Sequence, residues 1–241
     1  PMISSRYPIE EAAAAFKSLG GSTSPLLVLL NYPKSRAKYS KRTVMFRVKG
    51  KATQGQIRLA VIGAGGFARS SHLPNIQELG NRFALRAIVN RTGTNASLVA
   101  KQFGADYAST DYREVFADPD VDAVIIATRH HMHATLALQG LKAGKHVLLE
   151  KPLALNTQEI KDLNNFITDN KKEKLAILMT GYNRRFSSYG RRLAEVVKNR
   201  TAPFILNYRM NAGYLPKDHW VHGPDGGGRN IGEACHIYDL F

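Results

Sequence analysis

From residue 57 onward, short continuous apolar runs alternate with segments of helical character. The runs predict strands at Ile57 to Ile62, Ala84 to Val89, Tyr107 to Ala108, Ala123 to Ala127 and His146 to Leu149. Between them, helices are predicted at Ser70 to Leu79, broken by Pro74, and at Asn95 to Phe103, Asp111 to Phe116 and His133 to Ala143. Asp118-Pro119-Asp120 and Ala143-Gly144-Lys145 are turns that stop helices before the next strand. Strict strand and helix alternation forces a parallel sheet with helices on both faces. A helix at Thr157 to Asn170 and a strand at Leu175 to Thr180 complete that unit, and an amphipathic segment, Ser187 to Lys198, a strand, Phe204 to Arg209, and a helix-like run, Glu233 to Phe241, begin another. Ahead of residue 57, a helix at Ile9 to Leu19 and a strand at Leu26 to Leu30 have no partner nearby in sequence.

With 241 residues and 44% hydrophobic content, the chain can bury one large core or one and a half smaller ones. Its single cysteine, Cys235, excludes an internal disulfide and suits a reducing compartment. Leu26 to Leu30 is far shorter than the roughly 20 residues that span a bilayer, so a cytoplasmic protein without a membrane span is expected. The net charge of +15 is unevenly placed. Lys34, Arg36, Lys38, Lys41, Arg42, Arg47, Lys49 and Lys51 fall within residues 31 to 56, which hold no acid. This reads as a basic linker rather than a nucleic-acid contact, since its aromatics are only Tyr32, Tyr39 and Phe46. The remaining excess suits an anionic small molecule such as a nucleotide.

The first strand runs into Gly63-Ala64-Gly65-Gly66-Phe67-Ala68, a Gly-x-Gly-x-x-Ala turn. Gly63 permits the tight turn, Gly65 lets the backbone approach a pyrophosphate, and Ala68 lets the next helix pack on the strand. Gly63, Gly65, Gly66, Phe67 and Ala68 are therefore candidate cofactor-binding residues. The fold class is α/β, a doubly wound parallel sheet of the Rossmann type. The end of the second strand carries Asn90-Arg91-Thr92 where an acid would bind the adenosine ribose and exclude a 2′-phosphate. Asn90 removes the repulsion and Arg91 offers a cationic fork, which tips the expectation slightly toward NADP over NAD. Asn90 can equally bind plain ribose hydroxyls.

Five motifs in order, Ala127-Thr128 with His133, Glu150-Lys151-Pro152, Gly181-Tyr182-Asn183-Arg184-Arg185-Phe186, Gly226-Gly227-Gly228, and His236 with Asp239-Leu240, follow the glycine turn. Residues 57 to 241 thereby resemble the glucose-fructose oxidoreductase, inositol dehydrogenase and rhizopine catabolism (Gfo/Idh/MocA) family of NAD(P)-dependent sugar and polyol oxidoreductases. The resemblance implies a Rossmann domain over residues 57–180, then the start, over 181–241, of a truncated α/β domain with an open sheet. It implies catalysis by Lys151 and His236, with a cis peptide before Pro152. It places Glu150, Lys151, Pro152, Thr128 and His133 against the cofactor, and Tyr182, Asn183, Arg185, Lys217, His219 and Trp220 against a sugar-type substrate. Trp220 could equally be a core residue. Homo-oligomers are implied for the full-length protein.

The chain departs from that pattern at Gly232, where the family usually has an aspartate four residues before the histidine. Glu233, about 100° away around a helix, cannot simply substitute. Either a subgroup works without that aspartate or catalysis is lost, leaving a noncatalytic nucleotide-binding or scaffold module. His130, His131 and His133 lack a Cys or carboxylate at ligand spacing, and no metal is expected. Residues 1–33 look like the C-terminal tail of a zinc-type medium-chain dehydrogenase, on Arg6-Tyr7-Pro8-Ile9-Glu10-Glu11-Ala12 through Phe16 and Leu26 to Leu29. With residues 34–56 as the basic linker, the order resembles bi-domain oxidoreductases associated with bacterial surface polysaccharide synthesis. The chain is thus expected to be an excerpt of a longer protein.

Overall fold

The computed structural model describes residues 3–20, 25–32, 42–47, 55–170 and 176–241. The chain divides into two units, Pro1–Lys41 and Arg42–Phe241. No helix among the described residues is long and apolar enough to cross a membrane.

In the first unit, strand β1 (Ser5–Pro8) leads through a 3-10 turn, Ile9–Glu11, into helix α1 (Ala12–Ser18), and strand β2 (Val28–Asn31) follows. The strands pair in parallel, from Ser5 opposite Val28 to Pro8 opposite Asn31, with the helix as the crossover that parallel pairing requires. The partner of the apolar strand is therefore β1. Hydropathy did not signal it, because Ser-Arg-Tyr-Pro is short, half polar and ends in proline.

The second unit opens on strand β3 (Thr43–Met45), inside the segment expected to be a linker. β3 lies antiparallel to β6 at the sheet edge. Most of the remaining basic segment, residues 34–41 and 48–54, lies outside the described residues. Strand β4 (Ile57–Ile62), helix α2 (Leu73–Glu78), β5 (Phe83–Val89), α3 (Gly93–Phe103), β6 (Tyr107–Ser109), α4 (Tyr112–Ala117), β7 (Ala123–Ile126), α5 (His133–Lys142), β8 (His146–Leu149), α6 (Thr157–Asp169) and β9 (Leu178–Thr180) then alternate. The sheet order is β3-β6-β5-β4-β7-β8-β9, and all pairs but the first are parallel. From β4 the chain adds strands first toward β6 and then, starting at β7, on the other side, so the winding reverses between β4 and β7. A doubly wound sheet opens its ligand crevice at that point, beyond the carboxyl ends of the strands.

The alternation of side chains along each strand divides the core in two. Ala60, Ile62, Val124, Ile126, Val147 and Leu149 pack with Leu136, Leu141 and Leu163 of α5 and α6. Leu59, Val61, Ile88 and Ile125 pack on the other face with Leu73 and Ile76 of α2 and Val99 of α3. At the opposite end of the sheet from the crevice, Arg58 bonds Asp120 (2.7 Å) and Asp122 (2.8 Å), and Arg86 bonds Asp106 and Asp118 (both 3.1 Å).

Pro74 does not break the helix that follows the glycine turn. Helical structure runs from Gly66 to Glu78 and widens to a π turn at Ala68–His72. There the Leu73 N–H bonds the Ala68 carbonyl, five residues back, and this register lets the helix pass through a residue that has no N–H to give. After β9 come a 3-10 turn (Asn183–Phe186), helix α7 (Ser188–Lys198), a second 3-10 turn (Trp220–His222), a π turn (Asn230–Ala234) and helix α8 (Cys235–Leu240). The expected strand Phe204 to Arg209 is not formed. Its residues belong to neither sheet and Ile205 is 90% exposed, because strand periodicity makes a strand only where another edge is there to pair with it.

Candidate active site

The glycine turn sits at the carboxyl end of β4, against the switch point. Gly63 has φ +94°, and its N–H bonds the Val89 carbonyl at 2.9 Å. A Cβ there would stand 2.6 Å from the Ala127 carbonyl oxygen and 2.8 Å from the Thr128 nitrogen, so only glycine allows the turn to close on β7. A Cβ on Gly65 or Gly66 would meet nothing within 4 Å. The turn thus leaves clear space at Gly65 and Gly66, as close approach of a pyrophosphate needs, and Ala68, 1% exposed, packs the helix down behind it. The residues present fit a nicotinamide dinucleotide. Phe67 is half exposed beside the turn, edge-on to His72 at 5.4 Å.

At the end of β5, the Asn90 side chain turns inward to the turn itself. Its Nδ2 donates to the Ala64 carbonyl (3.2 Å), and its Oδ1 accepts from the Arg91 N–H (2.7 Å). Asn95 Nδ2 donates to the same carbonyl at 3.3 Å. Asn90 thus braces the glycine turn, while Arg91 is exposed.

Glu150, Lys151 and Pro152 leave the end of β8 through a cis Lys151–Pro152 bond. Glu150 Oε1 accepts from His72 Nε2 at 2.7 Å, and the carboxylate lies over Gly181, where a Cβ would come within 3.1 Å of it. His72 was not among the sequence-derived candidates, since a partner 78 residues away leaves no mark in spacing. Lys151 Nζ donates to the Gly232 carbonyl at 2.8 Å, one helical turn before His236. His236 is 7% exposed, and its Nδ1 is buried without a hydrogen-bond partner. Tyr182 meets its ring edge-on at 6.2 Å. Glu233 does not stand in for the missing aspartate, because its carboxylate accepts from Arg229 at 2.8 Å.

The glycine run is dictated by its surroundings. A Cβ on Gly226 would lie 2.4 Å from the Val221 backbone, and Gly227 and Gly228 have φ +71° and +86°. This folds the run against Val221, the neighbour of Trp220, whose ring carries the Arg129 guanidinium at 3.9 Å and meets His130 edge-on at 4.9 Å.

Several candidates are held in other ways than the sequence suggests. His133 is 1% exposed, with Nδ1 at 2.8 Å from the Pro152 carbonyl and Nε2 at 3.2 Å from that of Thr128. It is a brace between the β7 and β8 loops rather than a group facing a cofactor, and Thr128 Oγ1 donates to the Arg129 carbonyl. Arg185 is paired through two hydrogen bonds with Asp239, and His219 Nδ1 caps the Val221 N–H at 3.3 Å. Asn183 and Lys217 are exposed. The rings of His130, His131 and His133 go to different partners: the Gly226 carbonyl, Asp225, and the Pro152 and Thr128 carbonyls.

Burial pushes the pKa values of His130, His133 and His236 down, and the charges of Lys151 and Arg184 add to the effect at His236. The site therefore holds a neutral imidazole beside an ammonium. The unfolded chain, with ordinary histidines near 6.5, binds more protons than the native chain below that pH. Stability should accordingly be full above about pH 6.5 and fall as the pH drops below it. Urea midpoints measured from about pH 8 to pH 5 should decline on the acid side of this window. A flat series would contradict the burial of these rings.

The family model described as "Oxidoreductase family, NAD-binding Rossmann fold" matches residues 57–179. Myo-inositol 2-dehydrogenase of Thermotoga maritima is 34% identical over 183 residues, 70% of this chain and 53% of that protein. The 4-carboxy-2-hydroxymuconate-6-semialdehyde dehydrogenase of a Sphingobium species is 34% identical over 199 residues, 77% of this chain and 58% of that protein. Among solved structures, KijD10, a 3-ketoreductase from Actinomadura kijaniata in complex with NADP and TDP-benzene, is 26% identical with a TM-score of 0.53, covering 59% of this chain and 42% of that one. The chain spans a little over half the length of the two curated relatives. The strand order, the glycine turn and the match over residues 57–179 agree, and the chain belongs to the Gfo/Idh/MocA oxidoreductase family.

Proposed function

We propose that this chain carries the dinucleotide site and the acid–base pair of an oxidoreductase acting between a secondary hydroxyl and a keto group of a sugar, sugar nucleotide or polyol. The observation that carries the reading is the convergence of Lys151, from the end of β8, on the Gly232 carbonyl one turn before the neutral, buried His236. A bound nicotinamide supplies or takes up the hydride. The open space at Gly65 and Gly66 would take its phosphates against the turn, which Gly63 closes on the residues after β7 and Asn90 braces from β5. Lys151 donates to the reacting oxygen and stabilises negative charge as it develops there, while His236, unprotonated at neutral pH, accepts the hydroxyl proton. Glu150, fixed by His72, sets the entry of the Lys151 backbone into the crevice.

With no acid at the end of β5 and Arg91 exposed there, the reading favours NADP slightly over NAD. A cytoplasmic, homo-oligomeric enzyme of surface polysaccharide synthesis is part of the same proposal. So is a medium-chain dehydrogenase origin for residues 1–33, in which Phe16 of α1 is 70% exposed and Leu26, ahead of β2, 89% exposed.

Incubation with oxidised dinucleotide and a panel of polyols, sugars and nucleotide sugars tests the reaction. Growth of reduced nicotinamide absorbance with one class, lost on His236→Ala, is expected. Tight dinucleotide binding with no turnover across the panel would favour the scaffold reading, which the unpartnered His236 Nδ1 makes the specific alternative.

A further inference from the structure

His130 has no part in the chemistry above, yet it is 8% exposed and held on every side. Its Nδ1–H donates to the Gly226 carbonyl at 2.8 Å, and its ring lies 4.9 Å from the Trp220 centroid and 5.5 Å from that of His133. Its outer edge faces Gly232. A Cβ there would stand 3.0 Å from His130 Cε1, 3.5 Å from Nδ1 and 3.7 Å from Val221 Cγ2. The Gly232 carbonyl in turn accepts from Lys151 Nζ. The imidazole is a wedge between the glycine run and the turn whose carbonyl Lys151 bonds.

Two consequences follow from close packing. A side chain at 232 has to displace a ring that is hydrogen-bonded and flanked by two others, so the wedge and the glycine are a matched pair. Removing the ring leaves a cavity beside Gly232 and frees the Gly226 carbonyl, and the turn can then settle into a different position. We propose that His130 is a positioning residue for Lys151, setting the place of the Gly232 carbonyl and through it the place of the ammonium. The role of that ammonium in hydride transfer rests on the function proposed above; its positioning by His130 does not.

The test is the Cε resonance of Lys151 in protein labelled with ε-13C lysine, assigned by its loss in Lys151→Arg. In His130→Ala the resonance should move onto those of exposed lysines. In His130→Asn, whose amide can still donate to the Gly226 carbonyl, it should stay near its original position. Gly232→Ala should move it as well and lower the melting temperature, and should cost less in the His130→Ala background than alone. A Lys151 resonance unchanged in whichever of His130→Ala and Gly232→Ala folds overturns the proposal. Calorimetric titration of the wild type with NADH and NADPH separates the two claims. No dinucleotide binding with a responsive Lys151 removes the oxidoreductase reading alone, and binding with an unresponsive Lys151 removes the positioning alone.

Discussion

Gly63→Val should unfold the second unit's first crossover and abolish dinucleotide binding together. The new Cβ would lie 2.6 Å from the Ala127 carbonyl oxygen and 2.7 Å from its carbon, backbone atoms of the residue just after β7, whose N–H bonds the Ile62 carbonyl at 2.8 Å. Neither neighbour can yield cheaply, and the φ of +94° is strained for any side chain, a β-branched one above all. A loss of about 3 kcal/mol or more is expected, large against the usual effect of one substitution. Thermal and urea unfolding would measure it. Gly65→Ala is the control, since its Cβ meets nothing within 4 Å and its stability should be close to that of the wild type. Equal stability of Gly63→Val and Gly65→Ala would mean that the turn does not close on β7 as described.

Lys151→Met should lower turnover of a competent substrate by about a thousandfold while changing dinucleotide affinity little. The substitution keeps a flexible apolar stem of similar length and removes the donor. The ammonium is, with the Arg184 guanidinium, a cation whose charge reaches His236, and its loss takes away stabilisation that grows only as the oxygen acquires charge. Arginine should not restore activity, because a planar fork cannot occupy the place of one ammonium bonded to the Gly232 carbonyl. Single-turnover kinetics with dinucleotide prebound separates the chemical step from binding. Turnover unchanged in Lys151→Met would remove Lys151 from the reaction and leave His236 to act with some other donor.

Both predictions rest on features legible in the sequence. An apolar strand entering Gly63-Ala64-Gly65 has few other folds available, and β4, β5, β7 and β8 lie within about one residue of their expected bounds. The Lys151 and His236 assignments came from motif order rather than periodicity. What the sequence withheld is tertiary. β3 is three residues in a basic run and becomes a strand only because the β6 edge receives it. His72 meets Glu150, and His130 meets Gly226 and Gly232, across separations that no local pattern encodes. His133 reads as a cofactor contact because it follows a strand end in the crevice, but burial and two backbone carbonyls claim it. Phe204 to Arg209 misleads in the opposite way, having strand periodicity without an edge to pair with.

The central claim is a dinucleotide site at the Gly63 turn, and calorimetric titration of this chain with NADH and NADPH, beside Gly65→Asp, addresses it most directly. The aspartate should be tolerated by the fold, since space stands open at Gly65, while its carboxylate occupies and repels the pyrophosphate position. The account predicts binding of at least one dinucleotide by the wild type and loss of that binding in a Gly65→Asp protein with an unchanged melting temperature. A folded wild type that binds neither, or a Gly65→Asp variant that binds as well as the wild type, would contradict it.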